Sequence, residues 1–281
     1  MHHDIVTARN VGRTASLLLP DRSRLSLPER AVHVWVLNDA LIYRVCSTLA
    51  HTLSPDERQR ARAYRHEKHR NGFIARRSLL RWLIGGYLTC NPESLRFSVT
   101  PFGKPALQWP HAARLAFSVS HTDGLTLLAF AWDCRVGVDV ERRIDGLDVA
   151  GIGRGIFSPI EEEALDPTRP DSAATLLSIW TRKEALLKAL GMGLSGEPNA
   201  YTTEDDLLIG EGRWCASHNG TTLSGWTCLD LVLGPEVCAA LAVSLEDASV
   251  TLQERVGRLG GVTQDGAHRP AYLPHLVRGV A

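Results

Sequence analysis

The sequence carries no excess of either charge: Lys plus Arg and Asp plus Glu each number 31 in 281 residues. A chain-wide basic field of the kind that drives nucleic-acid binding is therefore excluded, although local patches are not. Metal-knuckle cysteine spacing is also missing. The six cysteines (Cys46, Cys90, Cys134, Cys215, Cys228 and Cys238) are scattered, and none forms a C-x-x-C. They read as reduced thiols of a cytoplasmic protein. Long apolar runs are absent too. The strongest, LTLLAFAW from Leu125 to Trp132, has strand length and falls far short of a membrane span. The amino-terminal MHHDIVTARNVGRTASLLLP has Asp4 early and only three consecutive leucines, too few for a signal-peptide core. What is present, 44% hydrophobic and 22% charged residues, is the composition of a soluble globular protein. The length suffices for one large domain or two small ones.

Residues 1–30 show no sustained periodicity and read as an irregular leader. AVHVWVL (Ala31 to Leu37) is the first strand. Ser54, Pro55 and Glu57 open a capped helix over Ser54 to Arg70. A second helix is expected over Asn71 to Leu88, with Leu80, Leu83 and Ile84 on one face and Gly85-Gly86 loosening its end. Strands follow at Leu95 to Val99 and Leu115 to His121. Asp123-Gly124 signals a hairpin to LTLLAFAW. RVGVDVE (Arg135 to Glu141) is another strand, SPIEEEAL is helix-prone, and WTRKEALLKALG (Trp180 to Gly191) is an amphipathic helix. Short strand-like pieces come later, among them LSGWTCLDLVL and VCAALAV. The Gly-, Arg- and Pro-rich end reads as a loose tail. RSLLRWLIGG and EALLKALGMG echo each other about a hundred residues apart, which suggests an α+β unit used twice.

In RVGVDVE the valines share one face, and Gly137, Asp139 and Glu141 share the other. Two carboxylates roughly 7 Å apart repel unless solvated or bridged by a cation. An all-oxygen pair suits Mg²⁺ or Mn²⁺, with the glycine leaving room for a ligand. The same pattern also fits the wet face of an edge strand. Lys104 on the FGKP turn is a phosphate contact or a solvated turn residue. His121 is structural, solvated or functional. The arginines of the early helices are a ligand-binding patch or a solvated face. Glu184 and Lys188, four apart on a helix, are either an ordinary ion pair or an acid and a base of one reaction.

Taken in order, arginine-rich helices, FGKPAL, FSVSHT, VGVDVERR, FSPIEEEALD and WTRKEALLKALGMGL resemble the 4′-phosphopantetheinyl transferases of the Sfp (surfactin) type, over about Val32 to Ser244. The resemblance implies an α+β fold of two similar α+β halves in pseudo-twofold arrangement, monomeric, with coenzyme A bound in the cleft between them. It implies an N-terminal half over 31–134, a C-terminal half carrying the metal site over 135–250, and a tail over 251–281. The implied reaction moves 4′-phosphopantetheine from coenzyme A to a serine of an acyl or peptidyl carrier protein, releasing adenosine 3′,5′-bisphosphate. Asp139, Glu141 and Glu184 match the family's metal ligands, for Mg²⁺ or Mn²⁺. Glu184 also matches the base for the carrier serine, and Asp139, Glu184 and Lys188 are the implied catalytic residues. For coenzyme A the matching positions are Gly103, Lys104, Pro105, Ser120, His121, Lys183 and Lys188, with Arg60 and Arg77 at the 3′-phosphate. Met192 and Leu194 are candidate contacts for the carrier or plain packing residues. The expected partners are apo carrier domains of fatty-acid, polyketide or nonribosomal peptide synthases, with a leaning to secondary-metabolite biosynthesis. No nucleic acid or membrane is expected. The leader and tail have no family counterpart, and arginine replaces lysine in the early helices. Two other readings stand beside the transferase: a non-catalytic module that binds coenzyme A or a carrier, and a Mg²⁺-dependent phosphodiesterase or nuclease using the D-x-E pair.

Overall fold

The computed structural model describes residues 22–39, 43, 47–108, 114–143, 155–165, 168, 172–193, 197–205 and 212–254. Leu194, Cys46, the whole of 255–281 and all but the last part of the 1–30 leader lie outside the described residues. The chain is mixed α+β and falls into two compact units that divide after Cys134, with residues 248–254 returning to the first.

The first unit begins with β1 (Ala31–Asn38), followed by helices α1 (Pro55–Arg62) and α2 (Glu67–Tyr87). β2 (Phe97–Val99) and β3 (Pro105–Leu107) form a two-stranded ribbon, and β4 (Leu115–Thr122) and β5 (Leu125–Trp132) form a hairpin. Thr122 pairs with Leu125, so Asp123 and Gly124 are the whole turn, and Gly124 takes a positive φ of 79°. Helix α1 opens as its sequence indicates, with the Ser54 amide donating to Glu57 Oε2 at 2.9 Å. The break between helices lies at 63–66, earlier than the expected Arg70–Asn71 junction. Gly85 and Gly86 do not loosen α2. They lie inside it, and a Cβ on Gly86 would stand 2.5 Å from Leu25 Cδ1, so the glycines permit close packing.

β1 is the hub of the first sheet, whose order is β12-β1-β5-β4. Strand β12 (Ser249–Glu254) pairs with β1 in parallel, Ala31 opposite Ser249. This corrects part of the expected tail: residues 251–254 are strand, because β1 offers a ladder edge that β12 fills. Helix α2 lays Leu79, Leu83, Ile84 and Tyr87 on Trp35, Leu128 and Phe130. Each such apolar side chain removed from water contributes about 1.5–3 kcal/mol.

The second unit contains β6 (Val136–Arg142), α3 (Pro159–Ala164), α4 (Ser172–Leu190), β7 (Tyr201–Asp205), β8 (Trp214–His218), β9 (Thr221–Thr222), β10 (Thr227–Asp230) and β11 (Val237–Val243). One sheet has the order β10-β11-β6 and the other β7-β8-β9. All of β11 is buried, and α4 packs Ala185, Leu186 and Ala189 with Ala240 and Ala242 of that strand. Among the described residues, no helix is long and apolar enough to cross a membrane. The five described cysteines are free thiols.

Candidate active site

The centre of the second unit is the contact between β6 and α4. Alternation along β6 puts Gly137, Asp139 and Glu141 on one face. That face meets α4: a Cβ on Gly137 would lie 1.9 Å from the Ala185 carbonyl oxygen and 2.5 Å from the Ala189 amide nitrogen. Gly137 therefore leaves room for a helix, rather than for a ligand as its position suggested. Because α4 comes so close, one turn of it stands over the carboxylates. Asp139 is 3% exposed and Glu141 6%. The wet-face reading of these two acids is thereby ruled out.

Lys188 projects from α4 onto this face. Its ammonium donates to Asp139 Oδ1 at 2.6 Å and lies 3.5 Å from the Val138 carbonyl oxygen. The side chain is 28% exposed, so it is held at the rim of the buried face. Burial works to lower the Lys188 pKa. Asp139, then Glu184, and also Glu141 outweigh that effect and raise it. One ammonium thus sits in the field of three carboxylates. Glu184, one turn before Lys188 on α4, is half-buried. The principal partner of Lys188 is Asp139, so the sequence spacing of Glu184 and Lys188 does not define the pair.

The donors here are hard oxygens, which is the ligand chemistry of Mg²⁺ and Mn²⁺. Asp139 and Glu141 fit such an ion in type and in sharing a face. Among the described residues, however, no three His, Cys, Asp or Glu side chains are assembled around one point. Asp139, Glu141 and Glu184 are neighbours in charge, and the position against Asp139 is held by Lys188.

Lys183 points elsewhere. One residue along a helix turns the side-chain direction by about 100°, which separates it from Glu184. It is 1% exposed, its ammonium pairs with Glu161, and it donates to the carbonyl oxygens of Pro198 at 3.1 Å and Tyr201 at 2.5 Å. Burial lowers its pKa despite Glu161. The expected phosphate role of Lys183 is corrected: its donors go to protein acceptors. Glu161 itself caps α3 through the Ser158 amide at 2.8 Å, and accepts from the Thr203 amide and hydroxyl at 2.8 and 2.9 Å. Lys183 and Glu161 together tie α3, α4 and β7.

The first unit repeats this device. Glu57 caps α1 and accepts from Arg77 Nε at 2.5 Å and Arg81 Nε at 2.7 Å on α2. Arg81 also donates to Pro92 and Leu95 carbonyl oxygens. Arg77 lies 3.9 Å over the Phe97 ring. Its guanidinium is a structural partner of Glu57, and any phosphate there shares it. Arg60 is exposed, lies 5.3 Å over the Phe73 ring, and is close enough to Arg77 to act on it electrostatically. Neither Glu57 nor Glu161 was singled out as a functional position. The signal was available: Ser-Pro-x-Glu occurs at Ser54 and again at Ser158.

The remaining candidates lie on β-structure of the first unit. The turn Thr100 to Gly103 closes by a Gly103 N–H to Thr100 carbonyl bond at 2.9 Å, with Gly103 at φ +85°. It presents Lys104, half-buried, at the ribbon end before Pro105. His121 is exposed near the end of β4, while Ser120 is 7% exposed. Neighbours in a strand face opposite ways, so the Ser120 hydroxyl and the His121 ring do not converge. A ligand at His121 would reach Ser120 through its backbone. Met192 accepts from the Tyr201 hydroxyl at 3.4 Å and packs in the second unit's core, which supports the packing reading for it.

Comparison with known proteins gives the family. Residues 135–241 match the 4′-phosphopantetheinyl transferase superfamily, and residues 43–132 match the N-terminal region of 4′-phosphopantetheinyl transferases. The chain is 32% identical over 229 residues to the 4′-phosphopantetheinyl transferase HetI of Nostoc sp., covering 80% of this chain and 93% of that protein. It is 31% identical over 160 residues to the L-aminoadipate-semialdehyde dehydrogenase-phosphopantetheinyl transferase of Schizosaccharomyces pombe, covering 52% of this chain and 62% of that protein. To the 4′-phosphopantetheinyl transferase Sfp of Bacillus subtilis the identity is 26% over 146 residues, covering 51% and 62%. The two-acid face of β6 under α4 thus lies in a chain that belongs to the 4′-phosphopantetheinyl transferase superfamily.

Proposed function

We propose that this chain is an Sfp-type enzyme that moves the 4′-phosphopantetheine arm of coenzyme A onto a serine hydroxyl of an apo carrier protein, with Mg²⁺ or Mn²⁺ as cofactor. The observation that carries the reading is the buried Asp139–Glu141 face of β6, opposed at 2.6 Å by Lys188 and accompanied by Glu184. Asp139 and Glu141, with Glu184 beside them, are the residues that would hold the ion. Bound there, it would neutralise charge on the pyrophosphate of coenzyme A.

The chain's own groups account for the rest. A neutral serine hydroxyl is a poor nucleophile, and Glu184 is the carboxylate to accept its proton. The serine oxygen forms a bond to the β-phosphorus as the bond to the bridging oxygen breaks. Adenosine 3′,5′-bisphosphate leaves with that electron pair, and the Lys188 ammonium balances the charge on its departing phosphate. Lys104 and His121, with the Ser120 backbone and the Gly103–Pro105 turn, are assigned to the phosphates of coenzyme A. Arg60 and Arg77 are assigned to its 3′-phosphate, Arg77 while keeping Glu57. Carriers of polyketide or nonribosomal peptide synthases are the favoured partners. The enzyme acts as a monomer in the cytoplasm, where free thiols persist.

The test is direct. The protein, coenzyme A, Mg²⁺ and a panel of apo carrier domains are combined, and each carrier is weighed. A gain of one phosphopantetheine on serine is expected. Unchanged carriers throughout, with coenzyme A still bound, overturn transfer in favour of a binding module. Cleaved nucleic acid would point to a phosphodiesterase.

A further inference from the structure

Lys188 makes a contact that the transfer reaction does not require of it. Its ammonium lies 2.6 Å from Asp139 Oδ1, against one of the two acids on the buried face of β6. Asp139 is 3% exposed, and a buried carboxylate without a counter-charge is costly, so the pairing has a structural reason. The pairing is also not a product of loose geometry. Backbone contact at Gly137 fixes α4 on β6, since even a methyl group there would stand 1.9 Å from the Ala185 carbonyl oxygen. Moving the helix away to admit a cation would break this close packing. Moving the lysine stem would not: it is flexible, and its side chain is 28% exposed.

We infer that Lys188 is a resident counter-ion that holds the place of the divalent cation against Asp139, and that cation uptake requires its ammonium to leave. The inference rests on the metal assignment made above. With the ammonium present, the charge on buried Asp139 is balanced by the lysine. The exchange also links the two states of the site. When the ammonium leaves Asp139, its flexible stem lets it serve the departing phosphate, the role proposed for it above. Lys188 is then a positioning residue for cation entry as well as a charge on the phosphates.

The test uses Mn²⁺ alone with the 281-residue chain and no coenzyme A. Free Mn²⁺ is counted by electron paramagnetic resonance during titration of wild type and of Lys188→Met, which keeps the stem and removes the charge. The variant should bind Mn²⁺ about tenfold more tightly or better, tenfold corresponding to about 1.4 kcal/mol of removed competition. Its melting temperature should fall without metal and recover with Mn²⁺ by more than that of wild type, because the ion replaces the missing counter-charge. Should Lys188→Met fail to fold, Lys188→Gln carries the same expectation with a smaller shift. Binding by the variant that is no tighter than wild type overturns the inference. Carrier weighing with wild type runs in parallel. An active wild type with an unimproved variant sinks the counter-ion inference alone, whereas a wild type that modifies no carrier sinks the transferase reading.

Discussion

Single residues decide the chemistry of this protein through what stands next to them. Gly137 sets the approach of α4 to β6: a Cβ there would meet backbone atoms at 1.9 and 2.5 Å, and neither belongs to a side chain that could swing away. Gly137→Ala should therefore destabilise the second unit by about 1–3 kcal/mol or more, the cost of overpacking. Urea unfolding would read this as a lower midpoint. A midpoint equal to wild type would mean that the helix is not held where it is described. Lys183 and Lys188, five residues apart, make a useful contrast. Lys183→Met leaves Glu161 buried without its cation, at a cost of about 3–5 kcal/mol. Lys188→Met also leaves a buried carboxylate, Asp139, without its cation, but the lysine itself is 28% exposed, so it should cost less stability and act on turnover as well. Thermal unfolding of the two variants, side by side, should show the larger loss for Lys183→Met. The carboxylate pair at Asp139 and Glu141 was legible from alternation alone, because a strand's period is two whatever surrounds it. The partner of Lys183 was not, because no local spacing relates it to Glu161.

Elements are joined in both units by a glutamate that serves two purposes. Glu57 and Glu161 each close a Ser-Pro-x-Glu helix start and then take a cation from the following long helix. The capping half of this was readable in the sequence, since a capping box is a local pattern. The cation half depends on how helices pack and is not written in any local period. Glu57 gives it a pH signature. Burial pushes its pKa up, but the Arg81 hydrogen bond and the Arg77 charge outweigh that, and the net shift is downward from 4.5. A carboxylate whose folded pKa is below its unfolded value contributes stability that is present above the unfolded pKa and lost as pH falls through the folded one. Stability of the first unit should accordingly decline below about pH 4.5, and Glu57→Gln should flatten that part of the profile while lowering the plateau. Denaturant unfolding between pH 3 and pH 7 would check it. An unchanged slope in the variant would remove Glu57 from the account.

On the scale of the whole chain, the order of motifs carried more information than any of them singly. Strands β4, β5 and β6, the two-residue Asp123-Gly124 turn and the second half of α4 followed from short-range patterns, whereas α4 begins at Ser172, eight residues before the expected Trp180. The parallel pairing of β1 with β12 did not. Those strands are separated by nearly the entire chain, and periodicity within a strand says nothing about its neighbour across such a distance. The consequence is testable. A chain ending at Asp247 loses β12 and exposes one ladder edge of β1, so it should melt lower and aggregate more readily than a chain ending at Glu254. Equal melting of the two truncations would show that β12 contributes nothing to the first unit.

The central claim is that Asp139 on β6 and Glu184 on α4, in the second unit, serve phosphopantetheine transfer. Single-turnover transfer to an apo carrier, at saturating Mg²⁺ and coenzyme A, tests it with Asp139→Ala and Glu184→Ala. The account predicts losses of about 10²–10⁴-fold or more in each, with circular dichroism matching wild type. A rate near that of wild type in either variant would contradict it.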